Sequence, residues 1–211
     1  GNLLVAFIAG RSTAAGSTFN FTALNGYTIL DQSATGSVLS GTLLWKYAGV
    51  GELTTQEAVT LTPNATAGAQ WCSIVAEYSA ATGTTAVDAE AATNANTSIR
   101  TSPSVSPTSG VERLLVGAAF TELGETFTSA KFANSTVGVT LRHTLQNTSA
   151  DPIIVSAAFW DSIRTATGAY TAEAVTLSAA TGGIHIAVFP STAAAPAAGI
   201  GRLRATVGWG I

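Results

Sequence analysis

The chain has 211 residues, 46% of them hydrophobic and only 10% charged, with a formal net charge of −3; a soluble domain ordinarily carries about a quarter of its residues as Asp, Glu, Lys and Arg. Nine basic residues, of which only Lys46 and Lys131 are lysines, make no stripe that would neutralise phosphates, which argues against nucleic acid as a partner. A single cysteine excludes an intramolecular disulfide framework, and the length suits one large β-sandwich or two small ones, neither of which needs a metal, a disulfide or a cofactor. Small neutral residues fill the spaces between apolar runs, and such a surface loses little side-chain entropy when a neighbour covers it. This is the composition of a protein meant to be packed into something.

In chain order, Leu3–Ala9 is apolar throughout and reads as a strand covered on both faces. It is far shorter than the ~20 residues of a membrane-spanning helix, and no inserted segment or signal peptide is read anywhere. Gly1 directly before a strand, in a sequence without methionine, points to a processed or cut product. In Leu44-Trp45-Lys46-Tyr47 the two rings share a face and Lys46 takes the other. Gln70–Ile74 reads as a buried strand with Cys72 an inert core thiol. Residues 81–110 form a low-complexity surface crossover with one edge strand, extended near its end by Pro103 and Pro107. Leu114–Phe120 and Ile153–Trp160 are again apolar nearly throughout. Gly182-Gly183 reads as a hairpin turn ahead of Ile184–Phe189. Beyond Pro190 comes a linker of small residues, and then a strand in which Leu203, Ala205, Val207, Trp209 and Ile211 fall on one side of a period-2 pattern.

Several of these runs occur twice in the same order. Asn2–Ala6 returns as Arg113–Gly117, Gly26–Leu30 as Gly138–Arg142, and Glu57–Leu61 recurs unchanged as Glu173–Leu177. Thr42–Lys46 is matched more loosely by Ser156–Trp160, and each half closes on a strand ending in an aromatic, Tyr78 and Phe189; the offsets run from about 111 to 116 residues. The expected fold is therefore all-β, an internally duplicated antiparallel β-sandwich of jelly-roll type. It occupies 1–190, with repeat halves 1–80 and 111–190 packed together over one core. Residues 191–211 are an Ala/Pro linker plus a terminal strand. That strand either folds back onto its own sheet or is exchanged with a neighbouring subunit, in which case Leu203, Val207, Trp209 and Ile211 form the assembly strand.

Chemistry-bearing patterns are sparse. His143 and His185 are the only candidate bases, neither sits in a motif, and an edge or outward-facing position is expected for both. Two separated histidines and one cysteine do not make a zinc site, and Asp31, Asp88, Glu90, Asp151 and Asp161 lack calcium-loop spacing. No glycine-rich segment has phosphate-loop spacing. No enzyme, metal or cofactor is expected. Among the aromatic residues, Trp45, Tyr47 and Trp71 are the candidates for stacking on a cell-surface glycan, with core packing as the competing use. Five Asn-x-Ser/Thr triplets, at Asn20, Asn64, Asn96, Asn134 and Asn147, are acceptor sites if the chain passes through a glycosylating pathway.

Asn2-Leu3-Leu4-Val5 opening one half, Val75-Ala76-Glu77-Tyr78-Ser79 closing it, and Thr101-Ser102-Pro103-Ser104 ahead of Arg113-Leu114-Leu115-Val116-Gly117 together resemble the duplicated β-sandwich modules of tailed-bacteriophage virion proteins. Those are minor tail, fibre and capsid-decoration proteins. The resemblance covers about residues 1–190 and carries no active-site residues. It implies a non-enzymatic structural protein on a virion surface or otherwise extracellular, with copies of itself and other structural proteins as partners. A glycan-binding adhesin and a subunit of a cellular surface filament are the alternatives.

Overall fold

The computed structural model describes residues 2–11, 19–20, 26–35, 39–48, 62–63, 70–78, 89–95, 99–101, 104, 113–122, 126–128, 140–146, 154–164, 174–176, 181–190 and 200–209. All regular structure among them is β: β1 (Leu3–Arg11), β2 (Phe19–Asn20), β3 (Thr28–Thr35), β4 (Leu39–Tyr47), β5 (Thr62–Pro63), β6 (Gln70–Tyr78), β7 (Ala89–Ala95), β8 (Ile99–Thr101), β9 (Arg113–Glu122), β10 (Thr140–Gln146), β11 (Val155–Arg164), β12 (Ala174–Thr176), β13 (Gly182–Pro190) and β14 (Ile200–Trp209). Ten of them build two five-stranded antiparallel sheets, ordered β14-β6-β1-β4-β3 and β10-β11-β9-β13-β7. The pairs β2–β5 and β8–β12 form two small ribbons.

The two sheets are built to one plan. Leu3 of β1 faces Tyr47 on one side and Tyr78 on the other, and Leu114 of β9 faces Ile163 and Phe189 in the same way. With Leu3 the counterpart of Leu114, β1, β3, β4 and β6 therefore correspond to β9, β10, β11 and β13. Even an irregularity is repeated. One residue bulges from β3 between Ile29 and Asp31, and one from β10 between Leu141 and His143; these are Leu30 and Arg142. A bulge adds local twist and re-aims a side chain, so its recurrence marks a matched geometry at the outer strand of both sheets. The looser sequence match is corrected by two residues: the ladder places Trp45 opposite Val5 and Asp161 opposite Val116, so the counterpart of Trp45 is Asp161 and not Phe159.

The fifth strand of each sheet comes from the other half. β7, which follows β6 in the chain, pairs with β13; β14, which follows β13, pairs with β6. Each half thus hands its last strand across the sandwich to its partner. The facing contacts obey the same approximate two-fold relation: β6 packs across β10 and β11 as β13 does across β3 and β4, and β14 lies against β10 as β7 lies against β3. Arg11 and Glu122, which are counterparts, form an ion pair with each other at 3.3 Å, and a residue can meet its own counterpart only near the axis.

One core lies between the sheets, formed by Leu3, Val5, Phe7, Ala9, Leu43, Ile74, Ala76 and Tyr78 from one side and Leu114, Val116, Phe120, Ala157, Phe159, Ala187 and Phe189 from the other. Large and small residues interdigitate across it: the Phe120 ring lies where Gly41 would carry a Cβ. Strands that are apolar throughout are buried on both faces, as their sequence pattern requires. On the outer face of the second sheet, Leu115, Ala119, Ala158, Trp160, Ile184, Ile186 and Val188 form a second cluster with Phe127 packed on it. There the Trp160 ring fills the space above Gly117, its cross-strand partner; the counterpart pair in the first sheet is Leu44 above Ala6.

Two local expectations change. Gly182-Gly183 is not a turn: both belong to β13, and Gly182 sits so close to the Phe120 carbonyl that a Cβ would collide with the β9 backbone. The Thr181 carbonyl, which accepts from Thr121 Oγ1 at 2.6 Å and from the Glu122 N–H at 3.3 Å, pins this start of β13. His185 is neither exposed nor on an edge. It is fully buried in β13 beside the rings of Phe7 and Phe120, with centroids 5.6 and 5.8 Å away, because its counterpart position, Ile74, also faces the core.

Candidate functional site

Two counterpart corners flank the core, and they differ in chemistry. In one, Phe189 at the end of β13 meets Trp45 of β4 with ring centroids 6.0 Å apart, and Leu30 is half-buried against the same core. In the other, Tyr78 at the end of β6 meets Asp161 of β11: the tyrosine O–H donates to Oδ2 at 3.0 Å, and the Arg142 Nε–H donates to Oδ1 at 2.8 Å. Tyr78 is the counterpart of Phe189, Asp161 of Trp45, and the bulge residue Arg142 of Leu30. An apolar trio has thus been replaced by a polar one in which each member satisfies the next.

Burial raises the Asp161 pKa, although Arg142 and the Tyr78 hydroxyl both pull it down. Burial also holds the Tyr78 phenol well above its ordinary value, and the neighbouring Asp161 carboxylate adds to this by charge and by hydrogen bond. Tyr78 is therefore a donor at any ordinary pH. His185 is held neutral because its ring is desolvated, which pushes its pKa down to about 3. Burial pushes the Cys72 thiol up to about 12, while a backbone hydrogen bond from Ala9 favours the thiolate. All four groups are locked into the packing between the sheets.

Of the aromatic glycan candidates, the structure brings together Trp45 and Tyr47, whose centroids lie 5.5 Å apart with the planes at 86°. Both are half-buried on the core-facing side of β4, and burial raises the Tyr47 pKa. Lys46, between them, points to the other face, with its Nζ 4.7 Å from the Tyr27 ring centroid. Trp71 is not part of this pair. Its register neighbours are Gly10 and Gly208, on the outer face at the far end of the sheet. His143 lies on the outermost strand, β10, opposite Phe159.

The terminal strand takes a definite place. β14 runs antiparallel to β6 within the same chain, with Leu203, Ala205, Val207 and Trp209 opposite Ala76, Ile74, Cys72 and Gln70 after a bulge between Ile200 and Arg202. Ile211 lies outside the described residues, as do Asn64, Asn96, Asn134 and Asn147. Asn20 belongs to the β2–β5 ribbon, paired with Thr62.

Sequence reasoning missed the Tyr78–Asp161–Arg142 trio, although a signal existed: the repeat replaces Leu30 by Arg142 and Trp45 by Asp161, a correlated polar change. Aligning Trp45 with Phe159 hid half of it. Comparisons with protein-family models, with curated proteins and with solved structures find no match to this chain.

Proposed function

We propose that the chain is a non-enzymatic structural subunit of a virion or another extracellular assembly, with copies of itself and other structural proteins as its partners. The observation that carries this reading is the construction of the two sheets, each of which is completed by a strand delivered from elsewhere. A fold whose sheet edges accept incoming strands suits association through main-chain hydrogen bonds. The low charge, the small neutral residues and the resemblance of the repeated strand motifs to tailed-bacteriophage virion modules support the same reading.

The titratable groups fit it as well. His185, Asp161, Tyr78 and Cys72 are engaged in the packing between the sheets. The glycan reading has the weaker footing: rings at 86° do not form a flat sugar platform, and Trp71 lies on the opposite face from Trp45 and Tyr47.

Solution scattering over a concentration series tests the proposal. An isolated subunit of this length has a radius of gyration of about 17 Å. A subunit of an assembly grows beyond that value as concentration rises, whereas a constant value up to the solubility limit overturns the reading.

A further inference from the structure

We infer that β14 is an exchangeable strand and that the edge of β6 which receives it is the docking site for β14 of a second copy of this chain. The inference rests on the assembly reading above and names the contact that makes the assembly.

Exchange is already present within one chain. Each half gives its fifth strand to the other, and β6 and β13 are equivalent acceptors. Neither sheet requires its fifth strand to come from its own half. It requires a strand of suitable pattern within reach.

Chain length permits the same exchange between molecules. Nine residues, 191–199, join Pro190 in one sheet to Ile200 in the other. β13 packs across β3 and β4, three to four strand positions from β14; with strands about 4.8 Å apart and sheets about 10 Å apart the span is about 17–22 Å, and nine residues extend to about 30 Å. The slack lets the same linker carry β14 to a neighbouring molecule without altering the body it leaves.

β14 is an edge strand paired on one side only, with β6. Its departure opens one ladder, and the identical ladder re-forms on the partner, so exchange is close to neutral in contacts and is governed by concentration.

The register supplies the test. Thr206 lies directly opposite Ser73, and opposed antiparallel residues have Cα atoms about 4.5–5.5 Å apart, within disulfide range. In a Cys72→Ser background, one chain carries Ser73→Cys and a second, of distinguishable mass, carries Thr206→Cys; the two are unfolded together, refolded at high concentration and oxidised. Exchange gives a disulfide-linked heterodimer, lost on reduction. A single chain carrying both substitutions reports on the register: a disulfide, within or between chains, is expected.

Concentration-dependent assembly without the heterodimer overturns the exchange and leaves the assembly reading standing. A particle that stays monomeric overturns both. No disulfide in the doubly substituted chain overturns the β6–β14 register and the inference with it.

Discussion

Gly117→Ala places a methyl group where the Trp160 ring now lies. The ring is fully buried and belongs to the directly opposed residue of β11, so neither partner moves away without disturbing the outer cluster. Overpacking of this kind costs about 1–3 kcal/mol, reduced by the roughly 0.5–1 kcal/mol that alanine gains over glycine in a strand, for a net loss of about 0–2.5 kcal/mol. Trp160→Leu leaves a cavity; Trp→Ala costs about 3–5 kcal/mol, and leucine refills part of the space, so the low end of that range is expected. The double variant recreates the Ala6–Leu44 pair of the first sheet. It should be more stable than the sum of the single losses implies, by about 1–2 kcal/mol, within the usual coupling of residues in contact. Urea midpoints at constant m-value measure this cycle. Additivity within about 0.5 kcal/mol would show that Gly117 and Trp160 are not packed as a matched pair, and the correspondence of the two sheets would lose its clearest energetic support.

Three further outcomes are expected. The folded state holds His185 neutral with its pKa pushed down to about 3 against an ordinary 6.5, so its contribution is complete above pH 6.5 and is lost as pH falls, by up to ~1.4 kcal/mol per pH unit. His185→Ile, which restores the Ile74 counterpart, should flatten the acid side of a stability–pH curve by about 2–3 kcal/mol at pH 4.5, and an unchanged slope would contradict the burial of that ring. Asp161 acts in the opposite sense: its raised carboxyl pKa gives stability that is present at low pH and lost as pH rises through it. Tyr78→Phe, copying Phe189, leaves Asp161 Oδ2 without its donor and should cost about 1–3 kcal/mol in thermal or urea unfolding; a neutral result would remove the hydrogen bond from the account. Cys72, buried and held protonated, should react with a thiol reagent only at the rate at which the packing between the sheets opens, and fast labelling of the native protein would contradict its core-facing place in β6, between β1 and β14.

Periodicity made the strands legible, because alternation and all-apolar runs are direct consequences of facing one core or two. Leu3–Ala9 and Leu114–Phe120 are buried on both faces for that reason. The inward face shared by Trp45 and Tyr47, with Lys46 opposite, followed from pleat alone. What period-2 patterning does not encode is which edge a strand joins: nothing in Ala89–Ala95 or Ile200–Trp209 distinguishes the β6 edge from the β13 edge. The core position of His185 was hidden by a different cause. Its neighbours Ile184 and Ile186 are also buried, so the strand has no polar face against which to orient a histidine, and only alignment with Ile74 reveals its direction. The polar corner was concealed by the loose similarity of Thr42–Lys46 to Ser156–Trp160, which set Trp45 against Phe159 instead of Asp161 and hid the second of two correlated polar changes.

Electron microscopy of the purified, full-length chain tests the central claim most directly. The account predicts ordered multimers, rings or filaments of a repeating subunit. Monodisperse single particles at every concentration would contradict it.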